Sequence, residues 1–300
     1  MLVVGCSCAP LAPTDAGADA LAPDRQWVEL DAQDDAACAR RSDGVSVCWG
    51  NGWAGSTVLP AGLSSIASVG SLLGCGLDPG GSIVCVHGGG WEPMIEWAPP
   101  SGSFRALDVS IGGPSACAID AAGGVTCWYN GGPATFAAPS SEPVRQIATT
   151  GITCAVGRSG HAFCWNPFAG GAVVQPPDIA LSSVASRDSS ACGVTTTSAL
   201  VCWGDPMDPV VALAPTTGAF TDVALGAPSC ALSTTGEAVC WGEGWTTLTG
   251  GPAVNATQPT GERYRRIAVG TGFVCGILLT GALSCWGTAT NGVLTPPNPP

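Results

Sequence analysis

Short apolar runs alternate along this chain with breaks rich in Gly and Pro, and the runs recur in sets. Each set opens on a run such as Ile66-Ala-Ser-Val69, Phe104-Arg-Ala-Leu-Asp-Val109, Val144-Arg-Gln-Ile-Ala148, Phe220-Thr-Asp-Val-Ala224 or Tyr264-Arg-Arg-Ile-Ala-Val269, and the first starts at Trp27-Val-Glu-Leu30. Two further runs follow, separated by a polar turn; Cys230-Ala-Leu-Ser-Thr-Thr-Gly-Glu-Ala-Val-Cys240-Trp-Gly242 shows both. Apolar runs of this length between turn residues predict strands, and no run has convincing helical spacing. The expected fold class is all-β.

The cysteines set the period. Fourteen of sixteen fall into pairs ten positions apart: Cys38 with Cys48, Cys75 with Cys85, Cys117 with Cys127, Cys154 with Cys164, Cys192 with Cys202, Cys230 with Cys240 and Cys275 with Cys285. Steps between first cysteines are 37, 42, 37, 38, 38 and 45 residues. A repeat of this size marks propellers and solenoids. Six positions after the first Cys stands Gly44, Gly81, Gly123, Gly160, Gly236 or Gly281, with Ser198 as the exception. Glycine there suits a three-residue hairpin loop whose last residue has positive φ. That register sets the paired cysteines opposite each other at a non-hydrogen-bonded position, about 4.5 Å apart at Cα, within disulfide reach.

Both faces of the hairpin read as buried. After the first Cys comes a small residue (Ala39, Gly76, Ala118, Ala155, Gly193, Ala231, Gly276), then Arg40 or a branched apolar residue. After the second comes Trp49, Val86, Trp128, Trp165, Trp203, Trp241 or Trp286. Neighbouring strand residues point to opposite faces, so each hairpin is sandwiched between others, as blades are in a propeller. The small residues are expected to admit the neighbouring blade. The proline-bearing segment Val210-Val-Ala-Leu-Ala-Pro215 is expected as an outer strand, since Pro belongs at a sheet edge, giving three to four strands per blade. Closure of the ring is expected near Trp27 and Gly292-Val-Leu-Thr295.

Composition narrows the function. The net charge is −12, and all ten basic residues are Arg. An acidic surface repels phosphate backbones, so neither nucleic acid nor an anionic membrane surface is an expected partner. Sixteen cysteines, fourteen of them in paired spacing, point to disulfides and an oxidising, extracytoplasmic compartment. Reduced structural thiols and metal binding are the rival readings; two ligands nine residues apart, with two His in the chain, suit zinc poorly. No metal or cofactor is expected. Val3-Val4-Gly5-Cys6 is similar to the bacterial lipobox, which implies lipidation of Cys6. Residues 1–24 then form a flexible tether, although five residues before Cys6 are too few for a signal peptide. Cys8 has no partner at the repeat spacing. Residues 25–295 form the propeller and 296–300 a Pro-rich tail.

The pattern Cys-Ala-Leu…Gly…Val-Cys-Trp-Gly, preceded by Val-Ala-x-Gly, resembles the regulator of chromosome condensation repeat family. The likeness is to its cysteine-rich form in bacterial secreted and lipid-anchored proteins, and it covers residues 25–295. It implies a seven-bladed β-propeller. Departures are Ser198 for Gly, Val86 for Trp, and Tyr129 and Asn166 where Gly follows Trp. Family members include a guanine-nucleotide exchange factor on chromatin, but the matching residues here are scaffold positions. Such an activity rests on analogy alone.

Candidate chemistry is sparse. His87 and His161 fall on a hairpin end and a turn and read as solvated loop residues. Asp31, Asp34 and Asp35 match no cation-loop spacing. Asn255-Ala-Thr257 fits a glycosylation sequon only formally. No nucleophile elbow or phosphate loop occurs. Trp53, Trp91, Trp97 and Trp245 lie off the Cys-Trp pattern in the connections, where aromatics anchor protein or glycan partners or else fill gaps between blades. Arg263, Arg265 and Arg266 form a basic cluster that suits an acidic partner or simply flanks a strand. The expected function is a non-catalytic, monomeric binding scaffold outside the cytoplasm that recognises a protein or glycan through its loops. An inhibitor of a secreted or cell-wall enzyme is one alternative and a glycan-active enzyme another.

Overall fold

The computed structural model describes residues 25–53, 56–69, 73–87, 99–110, 115–129, 135–166, 173–242, 259–289 and 292–297. Among them the strands form seven antiparallel sheets, two four-stranded and five three-stranded. Blade one comprises Trp27–Gln33, Ala36–Arg41, Ser46–Gly50 and Ser56–Val58; blade two, Ser65–Val69, Leu73–Leu77 and Ile83–His87. Blade three comprises Phe104–Ser110, Ser115–Asp120, Val125–Tyr129 and Thr135–Ala137; blade four, Val144–Thr150, Ile152–Gly157 and Ala162–Trp165. Blades five to seven are Leu181–Arg187, Ser190–Thr195 and Leu200–Trp203; Phe220–Ala224, Ser229–Ser233 and Ala238–Trp241; and Tyr264–Val269, Phe273–Leu278 and Leu283–Gly287. The first strand of each blade touches the first strands of both neighbours, and that of blade seven touches that of blade one. The chain is a closed seven-bladed propeller with its first strands innermost.

Every stapled pair lies in direct register across its hairpin. From blade one to blade seven the disulfides join Cys38 to Cys48, Cys75 to Cys85, Cys117 to Cys127, Cys154 to Cys164, Cys192 to Cys202, Cys230 to Cys240 and Cys275 to Cys285. Their Cα atoms are 4.0 or 4.1 Å apart, somewhat closer than the spacing expected of a non-hydrogen-bonded pair. The loop residue six positions after the first Cys has positive φ in every blade, from 82° to 97° at the glycines and 68° at Ser198. Its carbonyl accepts the N–H of the next blade's first strand residue at six seams. These bonds are Phe104 to Gly81 (2.8 Å), Val144 to Gly123 (2.9 Å), Leu181 to Gly160 (2.9 Å), Phe220 to Ser198 (2.8 Å), Tyr264 to Gly236 (2.7 Å) and Trp27 to Gly281 (3.0 Å). The last joins blade one to blade seven by the same bond that joins successive blades.

Seven apolar clusters occupy the seven seams. The residue after the second Cys faces the seam shared with the preceding blade: Trp128 with blade two, Trp203 with blade four, Trp241 with blade five and Trp286 with blade six. Trp49 does the same across the closing seam, packed with Phe273 and Ile277 of blade seven.

The small residue after the first Cys faces the neighbouring blade, as Ala39, Ala118, Ala155 and Ala231 show by packing in the clusters shared with the preceding blade, and at two glycines it also makes room within its own blade. A methyl group at Gly193 would lie 2.6 Å from Leu181, and one at Gly276 2.3 Å from Tyr264, each the first residue of that blade's inner strand. The segment from Val210 is not a strand but part of a short helix, Pro209–Ala212. Asp208 caps it by accepting from Val210 N, and Pro209 presets the first turn.

Candidate functional site

The inner strands line an axial cavity of about 330 Å³ whose wall carries Glu29, Asp31, Asp108, Arg145, Gln146, Asp222 and Arg266. Most of these groups bond from blade to blade. Glu29 takes Arg40 Nε at 2.8 Å and Ile66 N of blade two at 3.3 Å. Arg145 donates to the carbonyls of Leu181 (2.6 Å) and Ser182 (2.8 Å) in blade five, and Gln146 to Val184 O at 3.1 Å. Asp108 accepts from Thr149 N of blade four at 2.6 Å. Burial, reinforced by the charge of Asp31, pushes the Asp108 carboxyl up to about 7. Burial also raises Asp222, against the lowering pull of Arg266. A carboxyl that titrates near neutrality meets one condition for acid–base chemistry. Among the described residues no three His, Cys, Asp or Glu are grouped to hold a metal. The channel wall is a polar seam that holds the ring together.

The two ends of the ring differ. One carries the hairpin loops; the other carries the turns between the first two strands of each blade. On this turn face the turns interlock. Ile152 N donates to Asp188 O at 2.8 Å, Arg187 to Gly226 O at 2.6 Å, Gly272 N to Ala227 O at 2.6 Å and Thr271 N to Asp34 O at 2.6 Å, linking blades four through seven and then one. Asp34 and Asp188 hold φ of 44° and 51°, a region that side chains other than Asn and Asp rarely adopt. Such outliers persist where surrounding structure imposes them and cluster at binding surfaces. Burial, with Asp35 adding to it, raises the Asp34 carboxyl. The described charges here are Asp34, Asp35, Asp188, Asp205 and Asp208 against Arg187 alone; the other nine arginines lie toward the hairpin end. The third strands also end on this face, opposite the starts of the second strands. The connections that bear Trp91, Trp97 and Trp245 therefore start from it.

The residues singled out in the sequence have different fates. Trp91, Trp97, Trp245, Asn255, Cys6 and Cys8 lie outside the described residues. The paired cysteines are all staples of the scaffold: the first of each pair is on its blade's second strand, and Cys48, Cys85, Cys127, Cys164, Cys202, Cys240 and Cys285 are on the third. Trp53 is not an exposed anchor: it is 3% exposed and packs in the seam between blades one and two, with Leu59, Leu63 and Ile66. That seam is the one where Val86 replaces tryptophan. Gly74 leaves the space, since a methyl group there would sit 3.3 Å from Trp53 Cη2 and 3.0 Å from Cys48 Sγ. The arginine cluster is divided among internal partners. Arg265 donates to Trp27 O and Arg266 to Leu30 O at 3.3 Å, both across the closing seam. Arg263 pairs with Glu237 at 2.8 Å. His161 lies 3.2 Å from Asp178 on an exposed turn. Sequence reasoning did not single out Arg187, Asp188 or Thr271. Their signal was position alone: Arg187 ends an apolar inner strand, Asp188 follows it directly, and Thr271 stands two residues after another.

No family model matches the chain, and no curated protein sequence matches it. Solved structures do. The ectodomain of the Physcomitrella patens receptor kinase CR4 is 20% identical, with a TM-score of 0.66 over 88% of this chain and 74% of that one. The CRINKLY WD40 ectodomain of the Arabidopsis thaliana receptor kinase ACR4 is 19% identical, with a TM-score of 0.64 over 89% and 97%. Prp20p from Saccharomyces cerevisiae is 13% identical, with a TM-score of 0.55 over 73% and 72%. The shared property is the fold, that of the yeast RCC1 (Prp20) propeller.

Proposed function

We propose that the protein is a non-catalytic, extracytoplasmic binding module that recognises a protein partner with its turn face. The observation that carries this reading is the contrast between the two polar regions. Both regions bond from blade to blade, and the turn face adds constrained turns, net negative charge and the starts of the longest connections. Rigid scaffolds commonly present variable loops in this way. Seven disulfides support a location outside the reducing cytoplasm. Similar propellers form the receptor-kinase ectodomains named above, which fits an extracellular role. Lipidation at Cys6 belongs to the same proposal and would tether the ring to a membrane through residues 7–24.

Capture tests the reading. Immobilised full-length protein and a variant carrying Trp91→Ala, Trp97→Ala and Trp245→Ala are each offered an envelope-protein extract. The wild type retains a partner and the variant loses it. Equal capture by both would remove these aromatics as anchors. Turnover of a glycan panel by the wild type would replace the reading with an enzymatic one. Acyl labelling that disappears in Cys6→Ser tests the anchor separately.

A further inference from the structure

We infer that the groove between blades four and five on the turn face takes an extended peptide segment bearing Lys or Arg, presented by the protein partner. The inference rests on the binding-module reading and assigns it a site and a ligand chemistry. The groove holds about 530 Å³, within the range of small-ligand pockets. Ile152, Val173, Val174 and Pro206 supply its apolar surface, and Asp188 and Asp205 its charge. Val174 is 53% exposed, and Met207, next to Pro206, is 84% exposed. Apolar side chains this open beside a concavity mark a surface that gains by being covered.

Charge selects the occupant. The Asp188 side chain is 75% exposed, and its partner Arg187 stands 3.4 Å away with one guanidinium nitrogen already given to Gly226 O. Among the described residues the Asp205 carboxylate accepts from Met207 N, at 2.8 Å. A Lys or Arg side chain fits this combination because its aliphatic stem covers apolar surface while its cationic head reaches the rim. An acidic segment would meet two carboxylates. The parallel bridge of Gly151 with Asp188 holds the two blades in fixed relation at the groove's edge, so the site is preformed and an incoming chain bears the ordering cost.

Fluorescence anisotropy with the full chain tests this with three labelled peptides that alternate Val with Lys, Glu or Ser. The Lys peptide binds, with affinity that falls steeply as salt is raised. The Glu and Ser peptides bind at least about tenfold more weakly. The double variant Asp188→Asn with Asp205→Asn lowers Lys-peptide affinity by about tenfold or more, whereas Asp178→Asn, on the opposite face, leaves it unchanged. Asn tolerates the positive φ at 188 and can still accept from Met207 N, so the double variant keeps the fold; an unchanged melting temperature checks this. Absence of Lys-peptide binding, equal binding of all three peptides, or indifference to the double variant would each overturn the assignment. The envelope extract separates the two levels. If the double variant captures the partner as well as wild type, the groove is wrong and the binding module stands; a glycan-hydrolysing wild type removes the module itself.

Discussion

The backbone N–H of Thr149 in blade four lies 2.6 Å from the carboxylate of Asp108 in blade three. The bond crosses a seam at the channel wall, where Asp31 of blade one adds like charge. The folded chain therefore binds a proton at Asp108 more tightly than the unfolded chain, with the carboxyl pushed up to about 7 from an ordinary 3.8. A raised carboxyl contributes stability that is complete below the unfolded value and disappears as pH rises through the folded one. Buried Asp222 is shifted in the same direction. The melting temperature should thus fall by roughly 5 °C between about pH 4 and 7. Asp108→Asn, which can still accept from Thr149, should flatten the profile. A wild-type melting temperature that rises across that window, or an unaltered profile in the variant, would contradict the assignment.

Trp53 and Val86 occupy the same seam, and their relation predicts a compensation. Removing the Trp53 indole opens a void among Leu59, Leu63 and Ile66. Trp53→Ala should cost about 3–5 kcal/mol. Val86→Trp on that background supplies a ring from the opposite wall and should restore part of the loss, while Val86→Trp alone overfills the seam and destabilises. Chemical denaturation of the four proteins measures the coupling. Additive effects would show that the two positions do not share the space.

Ser198 holds the hairpin position that is glycine in the other six blades, with φ of 68°. A side chain in that region costs about 1–2 kcal/mol, offset by the greater freedom of glycine in the unfolded chain. Ser198→Gly should stabilise the protein by about 0.5–1 kcal/mol. Gly236→Ser should destabilise it more than that, because a Cβ there lies 2.9 Å from Tyr264 O. Equal and small effects at the two sites would mean that the loop relaxes.

The hairpin, its staple and the number of blades were legible because each is local and repeated seven times. Cys230 and Cys240 carry their register in their spacing, and glycine at 236 carries the loop. What was not legible depends on contacts between units. Trp53 fell outside the repeat, and its purpose shows only when Val86 and Gly74 meet it across a seam. Arg265 and Arg266 looked like a free basic cluster because their acceptors, the carbonyls of Trp27 and Leu30, lie over 230 residues away. The segment after Asp208 kept an apolar, proline-bearing composition that fits an outer strand, and one capping carboxylate decided for a helical turn instead. The turn-face groove was hidden for the same reason, since Val174, Asp188 and Asp205 approach only through the stacking of two blades.

Ring closure provides the final prediction. Trp49 Nε1 donates to Val293 O at 2.8 Å, and Trp241 Nε1 donates to Val210 O at 3.0 Å. The segment after blade seven thus treats blade one as the connection after blade five treats blade six. Val293 is fully buried among Trp27, Trp49, Phe273 and Ile277, residues of the first and last blades. Substituting Val293→Ala should therefore cost about 2 kcal/mol through the cavity it leaves. Val293→Asp should cost considerably more, because it buries a carboxylate in an apolar cluster. Exposed Val174→Asp introduces the same charge at no such cost and serves as control. If the closing seam is as strong as the others, Val293→Asp lowers the midpoint of a single cooperative transition. If it is the weakest seam, an early transition appears instead, with the tryptophan emission of blade one shifted to the red. A Val293→Asp protein as stable as the Val174→Asp control would show that the C-terminal segment has no part in closing the ring.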